Sequence, residues 1–386
     1  MAVEGNAAAA GRWSAERPYA GALPWPARLG RGQAAAAALA RAAARAAFVA
    51  AVLWLFLVGL HVMRAGAQAL APRLEGSALT DGLASPLGLG WLGAMLVLSG
   101  SPVAASSLAL LDGGTLTRDQ AFMMLTGSRL GAAFVVLAIG FLYAARGRAP
   151  QDGRRAPLSV GVLALLMTAA AYLPGAAVGL ALLRTGALAG VPAAAPPVLL
   201  DLVGAATRGA VAAARAGLPG ALMFPAGLVL VLASLRLAER ALPTMEQAVE
   251  ERGGWRTRTW LLFGIGCAAA LATMSVSVAL TLLVPAVAKG ALRREHTLPY
   301  IAGANLTTLA DTLATALLLG DPDAVRVVAA ELLGVAAVSL VLLSIGFGPL
   351  RAALLAAADW LLASRPRCAC FIAALFAIPV ALIWAP

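Results

Sequence analysis

Four serines stand in two matching pairs. Ser99 and Ser101 lie in LSGSPVAAS, and Ser275 and Ser277 lie in MSVSVALTL. A glycine-led motif follows each pair, GSRLG from Gly127 and GANLTT from Gly303. The differences 275 − 99 and 303 − 127 both give 176, so the two stretches align without a gap. Where a helix is broken at membrane depth, half-helix N-termini point free N–H groups and a positive dipole end into the gap. Serine hydroxyls add donors and acceptors. Such a tip holds an anion, and its hydroxyl and carbonyl oxygens suit sodium. Asn305, Thr307 and Thr308 in the second glycine motif supply further oxygens, with Ser106, Ser107 and Thr281 behind them.

Three ionisable residues fall in apolar surroundings, where charge is costly and tends to be functional. Arg129 is a candidate fixed cation that pairs with an anionic substrate or replaces one sodium, because a guanidinium matches an oxyanion in a bidentate way. A structural pairing with a buried carboxylate is the competing role. Asp311, two turns past Gly303, has three open roles: sodium ligand, proton carrier or partner of Arg129. Glu331, within the 327–347 span, is a weaker candidate, with a position near the interface left open.

The elements that must hold these residues are helices. Of 386 residues, 61% are hydrophobic and 12% are charged, and mean hydropathy is +0.87. Several stretches approach the roughly 20 apolar residues that cross a bilayer. A β-barrel would alternate polar and apolar residues instead. The expectation is an all-α polytopic membrane protein with two inverted repeats, each carrying a re-entrant helical hairpin. Spans are expected near 47–64, 120–144, 158–183, 221–237, 298–319, 327–347 and 370–385. Broken apolar hairpins are expected at 86–111 and 259–288. This divides the chain into a cytoplasmic tail or interfacial helix (1–46), a first transport repeat (47–149), a connecting span and linker (150–220), a second transport repeat (221–347), and an amphipathic segment with a C-terminal span (348–386).

The formal net charge of +11 reads as topology rather than nucleic-acid binding. With the N-terminus in the cytoplasm and each hairpin returning to its own side, the arginine-rich loops 145–157, 238–258, 289–296 and 348–368 are all cytoplasmic. The two hairpins then enter from opposite sides, as in repeat-built secondary transporters. Glu4 and Glu16 argue against a transit peptide, and the first apolar run begins too late for a secretory signal. The expected location is the inner membrane of a bacterium. Most tryptophans, Trp54, Trp91, Trp255, Trp260, Trp360 and Trp384, read as interface anchors. Three cysteines and two distant histidines give no metal constellation and no disulfide framework.

The motifs resemble those of the type II sodium/phosphate cotransporter family, which carries a Q-S-S-S motif and then a G-A-N-I-G-T-T motif in each half. LSGS (98–101) and MSVS (274–277) stand at the first motif, and GSRLGA (127–132) and GANLTT (303–308) at the second. Leu55 to Leu70 and the run 299–318 are similar to family helices. The resemblance covers about 50–145 and 222–347. Leu98 and Met274 stand where the family has glutamine, Gly100 and Val276 where it has serine, Arg129 where it has asparagine, and Thr307 where it has glycine.

The resemblance implies sodium-dependent symport of inorganic phosphate by alternating access, without enzymatic chemistry. It implies that the serine motifs contribute to the phosphate and sodium sites, with Ser275, Ser277 and Asn305 as sodium ligands. Two alternatives stay open: transport of another anion with altered cation coupling, and a non-transporting scaffold or sensor that keeps the fold. A homodimer is a further open option.

Overall fold

The computed structural model describes residues 31–74, 82–145, 155–190, 196–241, 255–273, 275–288, 290 and 292–385. The tail through residue 30, Arg146, Arg148, Arg154, Glu246, Glu250, Glu251 and Met274 lie outside the described residues, as does the side chain of Trp255. Contacts divide the chain into Met1–Val49 and Ala50–Pro386. The described part of the first unit is the opening of helix α1, Arg31–Leu74.

The second unit is built from the rest of α1 and fourteen further helices, with no strand among the described residues. A hairpin follows, α2 (Ala84–Val97) and α3 (Ser101–Asp112), and then α4 (Arg118–Ala132), α5 (Phe134–Ala145) and α6 (Arg155–Arg184). Helices α7 (Pro197–Gly217) and α8 (Gly220–Ala241) lead to a second broken stretch, α9 (Trp255–Thr273), α10 (Val276–Thr281) and α11 (Leu283–Ala288). Last come α12 (Thr297–Leu319), α13 (Pro322–Ser344), α14 (Phe347–Leu362) and α15 (Arg365–Ile383). Seven described helical stretches are long and apolar enough to cross a membrane. Leu96, Phe141, Val229, Val341 and Ile345 face outward. That much apolar surface suits lipid, and the chain reads as an integral membrane protein.

The expected spans 158–183, 221–237, 298–319, 327–347 and 370–385 lie within a few residues of α6, α8, α12, α13 and α15, whereas 47–64 is the middle of the longer α1 and 120–144 is divided into α4 and α5. Two further stretches differ. The linker 184–220 contains the 21-residue helix α7, because its prolines cluster before Val198, where Pro197 starts a helix rather than breaking one. Residues 348–368 are mostly helical as well, in α14.

The 176-residue duplication reappears in the backbone. Gly114 and Gly290 both take φ +74. Around them Gly114 N–H donates to Leu111 O and Gly290 N–H to Val287 O, at 2.9 and 3.0 Å, while Leu116 N–H donates to Leu110 O and Leu292 N–H to Ala286 O, both at 3.2 Å. Helix crossings are duplicated too. A Cβ on Gly127 would lie 2.1 Å from Leu87 O, and one on Gly303 2.0 Å from Phe263 O. Gly90 meets Met124 O and Gly266 meets Tyr300 O at 2.0 and 2.1 Å by the same measure. Only glycine permits these approaches of α2 to α4 and of α9 to α12.

Helices of the two halves also pack on one another. Gly59 on α1 meets the Gly227 carbonyl on α8, and Gly227 meets the Gly59 carbonyl. Gly66 lies against Phe224, so the two helices run antiparallel. Helices α6 and α13 do the same: Gly334 meets Gly175 O, and Gly179 meets Ala330 O.

Candidate functional site

Helix α2 stops because Leu98 adopts the left-handed conformation, φ 56. It is the one non-glycine residue with positive φ among those described. Ser99 N–H then donates back to Ala94 O at 3.1 Å, closing the end of the helix. Gly100 turns the chain, and Ser101 and Pro102 start α3. The first hairpin tip thus points the N-terminus of a twelve-residue helix inward.

A carboxylate meets it there. Ser101 Oγ donates to Asp311 Oδ2 at 2.7 Å, bringing the first tip onto α12. Thr312 Oγ1 contacts Asp311 Oδ1 at 3.0 Å and accepts from Arg129 Nη2. Arg129 and Asp311 are therefore joined through the Thr312 hydroxyl. Arg129 is 3% exposed, and its Nε and Nη1 have no hydrogen-bond partner. It is carried by α4, whose start is fixed by a reciprocal cap: Thr117 N–H donates to Gln120 Oε1 at 2.9 Å, and Gln120 N–H donates to Thr117 Oγ1 at 3.4 Å.

Glu331 on α13 completes the charged group. It is 0% exposed, neither of its oxygens has a hydrogen-bond partner, and the Arg129 charge acts on it. The sequence left an interfacial position open for it; the structure buries it among helices. Gly334 and Ala330 press this face of α13 onto α6, a packing that hydropathy along one helix does not encode.

The side chains of the remaining candidates make their hydrogen bonds elsewhere. Asn305, the positional equivalent of Arg129 (305 − 129 is 176), donates through Nδ2 to Thr168 Oγ1 at 2.8 Å, and Tyr172 Oη donates to Asn305 O at 2.8 Å. Thr307 and Thr308 return their hydroxyls to Gly303 O and Ala304 O, each at 2.8 Å. Ser275 caps its own short helix, accepting from Val278 N–H at 3.3 Å. Ser277 is half-buried. Among the described residues, no hydrogen bond joins Ser275 or Ser277 to Ser101, Arg129 or Asp311. Ser106, Ser107 and Thr281 satisfy carbonyls of their own helices.

Ser99 lines an open cleft of about 410 Å³ with Leu98, Pro102, Leu235 and Arg236. The cleft reaches the first hairpin tip, and Arg129 lies behind it: a Cβ on Gly100 would stand 3.6 Å from Arg129 Nη1. Sequence reasoning missed Thr312, Thr168 and Tyr172. The threonines signal nothing alone, since most bond their own helix. No His/Cys/Asp/Glu group able to hold a metal occurs among the described residues. No family model, curated protein or solved structure matches the chain.

Proposed function

We propose that the protein is a secondary active transporter that moves a small inorganic oxyanion, phosphate by resemblance, across a bacterial plasma membrane by alternating access. One observation carries this reading. Arg129 is a buried cation held through one hydroxyl, with two nitrogens left to donate. Those donors, beside a hairpin tip that an open cleft reaches, suit the oxygens of an anion. The cleft supplies a second cation, Arg236, at its wall.

The architecture supports the same reading. Duplicated turns and crossings 176 residues apart, with α1 against α8 and α6 against α13 antiparallel, are what two inverted repeats produce. Each repeat then contributes a re-entrant hairpin, α2–α3 and α9–α11, and rocking of one repeat against the other opens the site alternately to the two sides. The resemblance by itself implies sodium as the coupling ion, with oxygens of Ser275, Ser277 and Asn305 as ligands; the transport reading does not depend on which cation is coupled.

Radiolabelled phosphate counterflow in proteoliposomes tests the reading. The expected result is exchange by the wild type and its loss in Arg129→Ala. Exchange untouched by that substitution overturns the role of Arg129. Absence of exchange for any inorganic oxyanion, in protein shown to be folded, favours the scaffold reading.

A further inference from the structure

Glu331 is a carboxyl at the centre of the helix bundle, and nothing donates a hydrogen bond to it. Asp311, by contrast, accepts from Ser101 and contacts Thr312. Those bonds suit a carboxylate. Glu331 has Thr126 beside it, but the Thr126 hydroxyl donates to Phe122 O at 3.0 Å. A threonine hydroxyl has one hydrogen, so while that bond is kept Thr126 has none to give Glu331, whose two oxygens have no hydrogen-bond partner.

The surroundings contain one positive charge for two carboxyls. The Arg129 charge, on α4, acts on Glu331. Asp311 from α12 and Tyr172 from α6 share the same electrostatic environment. No titratable group of α3 or α14, the other helices packed on α13, acts on Glu331. With Arg129 and Asp311 ionised, a proton on Glu331 makes the cluster neutral. Without it the cluster is negative at the place where an anion must dock, and a Glu331 carboxylate competes with that anion for Arg129.

Resting on the transport reading above, we propose that Glu331 is the proton-carrying group of this transporter, and that anion uptake at Arg129 is coupled to a proton rather than to sodium. Protonation removes the competing charge and raises anion affinity; by reciprocity, a bound anion raises the affinity for the proton. The pair crosses together, and Glu331 returns its proton to water on the far side as the anion leaves.

The test uses the full chain in proteoliposomes, with labelled phosphate and labelled sulfate as probes. Wild-type exchange should weaken with rising pH, up to about tenfold in affinity per pH unit for one linked proton. Glu331→Gln, a permanent stand-in for the neutral acid, should remove that dependence; titration of phosphate itself is common to both proteins and cancels in the comparison. An inward proton gradient without sodium should drive accumulation by the wild type and not by the variant. The same pH profile in both proteins overturns the inference and leaves transport standing. Absence of wild-type exchange for either anion overturns the transport reading and the inference with it. If the variant fails to fold, the wild type alone decides: accumulation driven by sodium and indifferent to a proton gradient overturns the proposal.

Discussion

At the first break, Leu98 to Gly100 delivers Ser101 to a carboxylate on another helix; at the second, Ser275 turns back to cap its own. The two stretches share a turn at Gly114 and Gly290 and a glycine crossing at Gly127 and Gly303. They differ at the position after next. Arg129 points into a group of carboxyls, whereas Asn305 bonds the neutral Thr168. The matching stretches therefore share backbone approach while equivalent side chains differ, and the charged group takes Arg129 and Ser101 from the first and Asp311, Thr312 and Glu331 from the second. Close crossings tolerate one residue type, while a side chain facing an inter-helix gap is free to change provided that its charge finds partners.

The strongest way to break this contrast is to erase it. Arg129→Asn gives both halves the same residue. Charge-assisted hydrogen bonds contribute about 1.5–3 kcal/mol each, so loss of the two free donors should lower anion affinity by about 100-fold or more, read by phosphate counterflow. A rise in sodium dependence alongside that loss would mark Arg129 as standing in for a cation, and unchanged transport would remove it from the site. Asn305→Ala should cost less than tenfold, because its amide bonds a neutral hydroxyl.

The shared part is tested by matched substitutions. Gly127→Ala and Gly303→Ala each push a methyl group onto a carbonyl oxygen. Overpacking of this kind costs about 1–3 kcal/mol, and both variants should lower the unfolding midpoint in detergent by similar amounts. A large loss in one and none in the other would mean that the two crossings are not equivalent.

Much of the shared part was legible in the sequence, because it is written in residue types with narrow uses. Glycines at one offset give the crossings, and hydropathy gives the helices. Arg129 and Asp311 stood out as charges in apolar runs, and one of the roles left open for them, pairing with each other, is close to what is found, with Thr312 between. Two things were not legible. The burial of Glu331 depends on which face of α13 meets α6, set by Gly334 against Gly175. That Ser275 caps its own helix rather than bonding the charged group depends on the local turn before α10. Periodicity fixes neither.

Serine to alanine in each pair sharpens the difference further. Ser101→Ala removes the hydrogen bond to half-buried Asp311, a loss of about 1–3 kcal/mol, and should shift anion affinity as well as stability. Ser275→Ala removes a helix cap, about 1 kcal/mol, and should shift stability alone. Equal effects of the two on counterflow affinity would place both hairpin tips at one site and break the asymmetry.

The smallest effect belongs to a duplicated arginine at the surface. Arg118 and Arg294 stand 176 apart (294 − 118), and each meets a carboxylate on a later helix, Arg118 with Asp323 at 3.8 Å and Arg294 with Asp359 through a two-pronged contact. The hydrogen bond from Arg294 holds the Asp359 carboxyl below its ordinary range. A lowered value means stability present above the unfolded carboxylate's pKa and lost as pH falls through the folded one. Asp359 is more than half exposed, so solvent screens the pair to less than about 1 kcal/mol. Asp359→Asn should cost that little at neutral pH and nothing in acid, measured by unfolding midpoint against pH. A cost that persists in acid would assign the contact to packing of α14 rather than to charge. The positional match between Arg118 and Arg294 would then be a shared backbone position and not a shared electrostatic role.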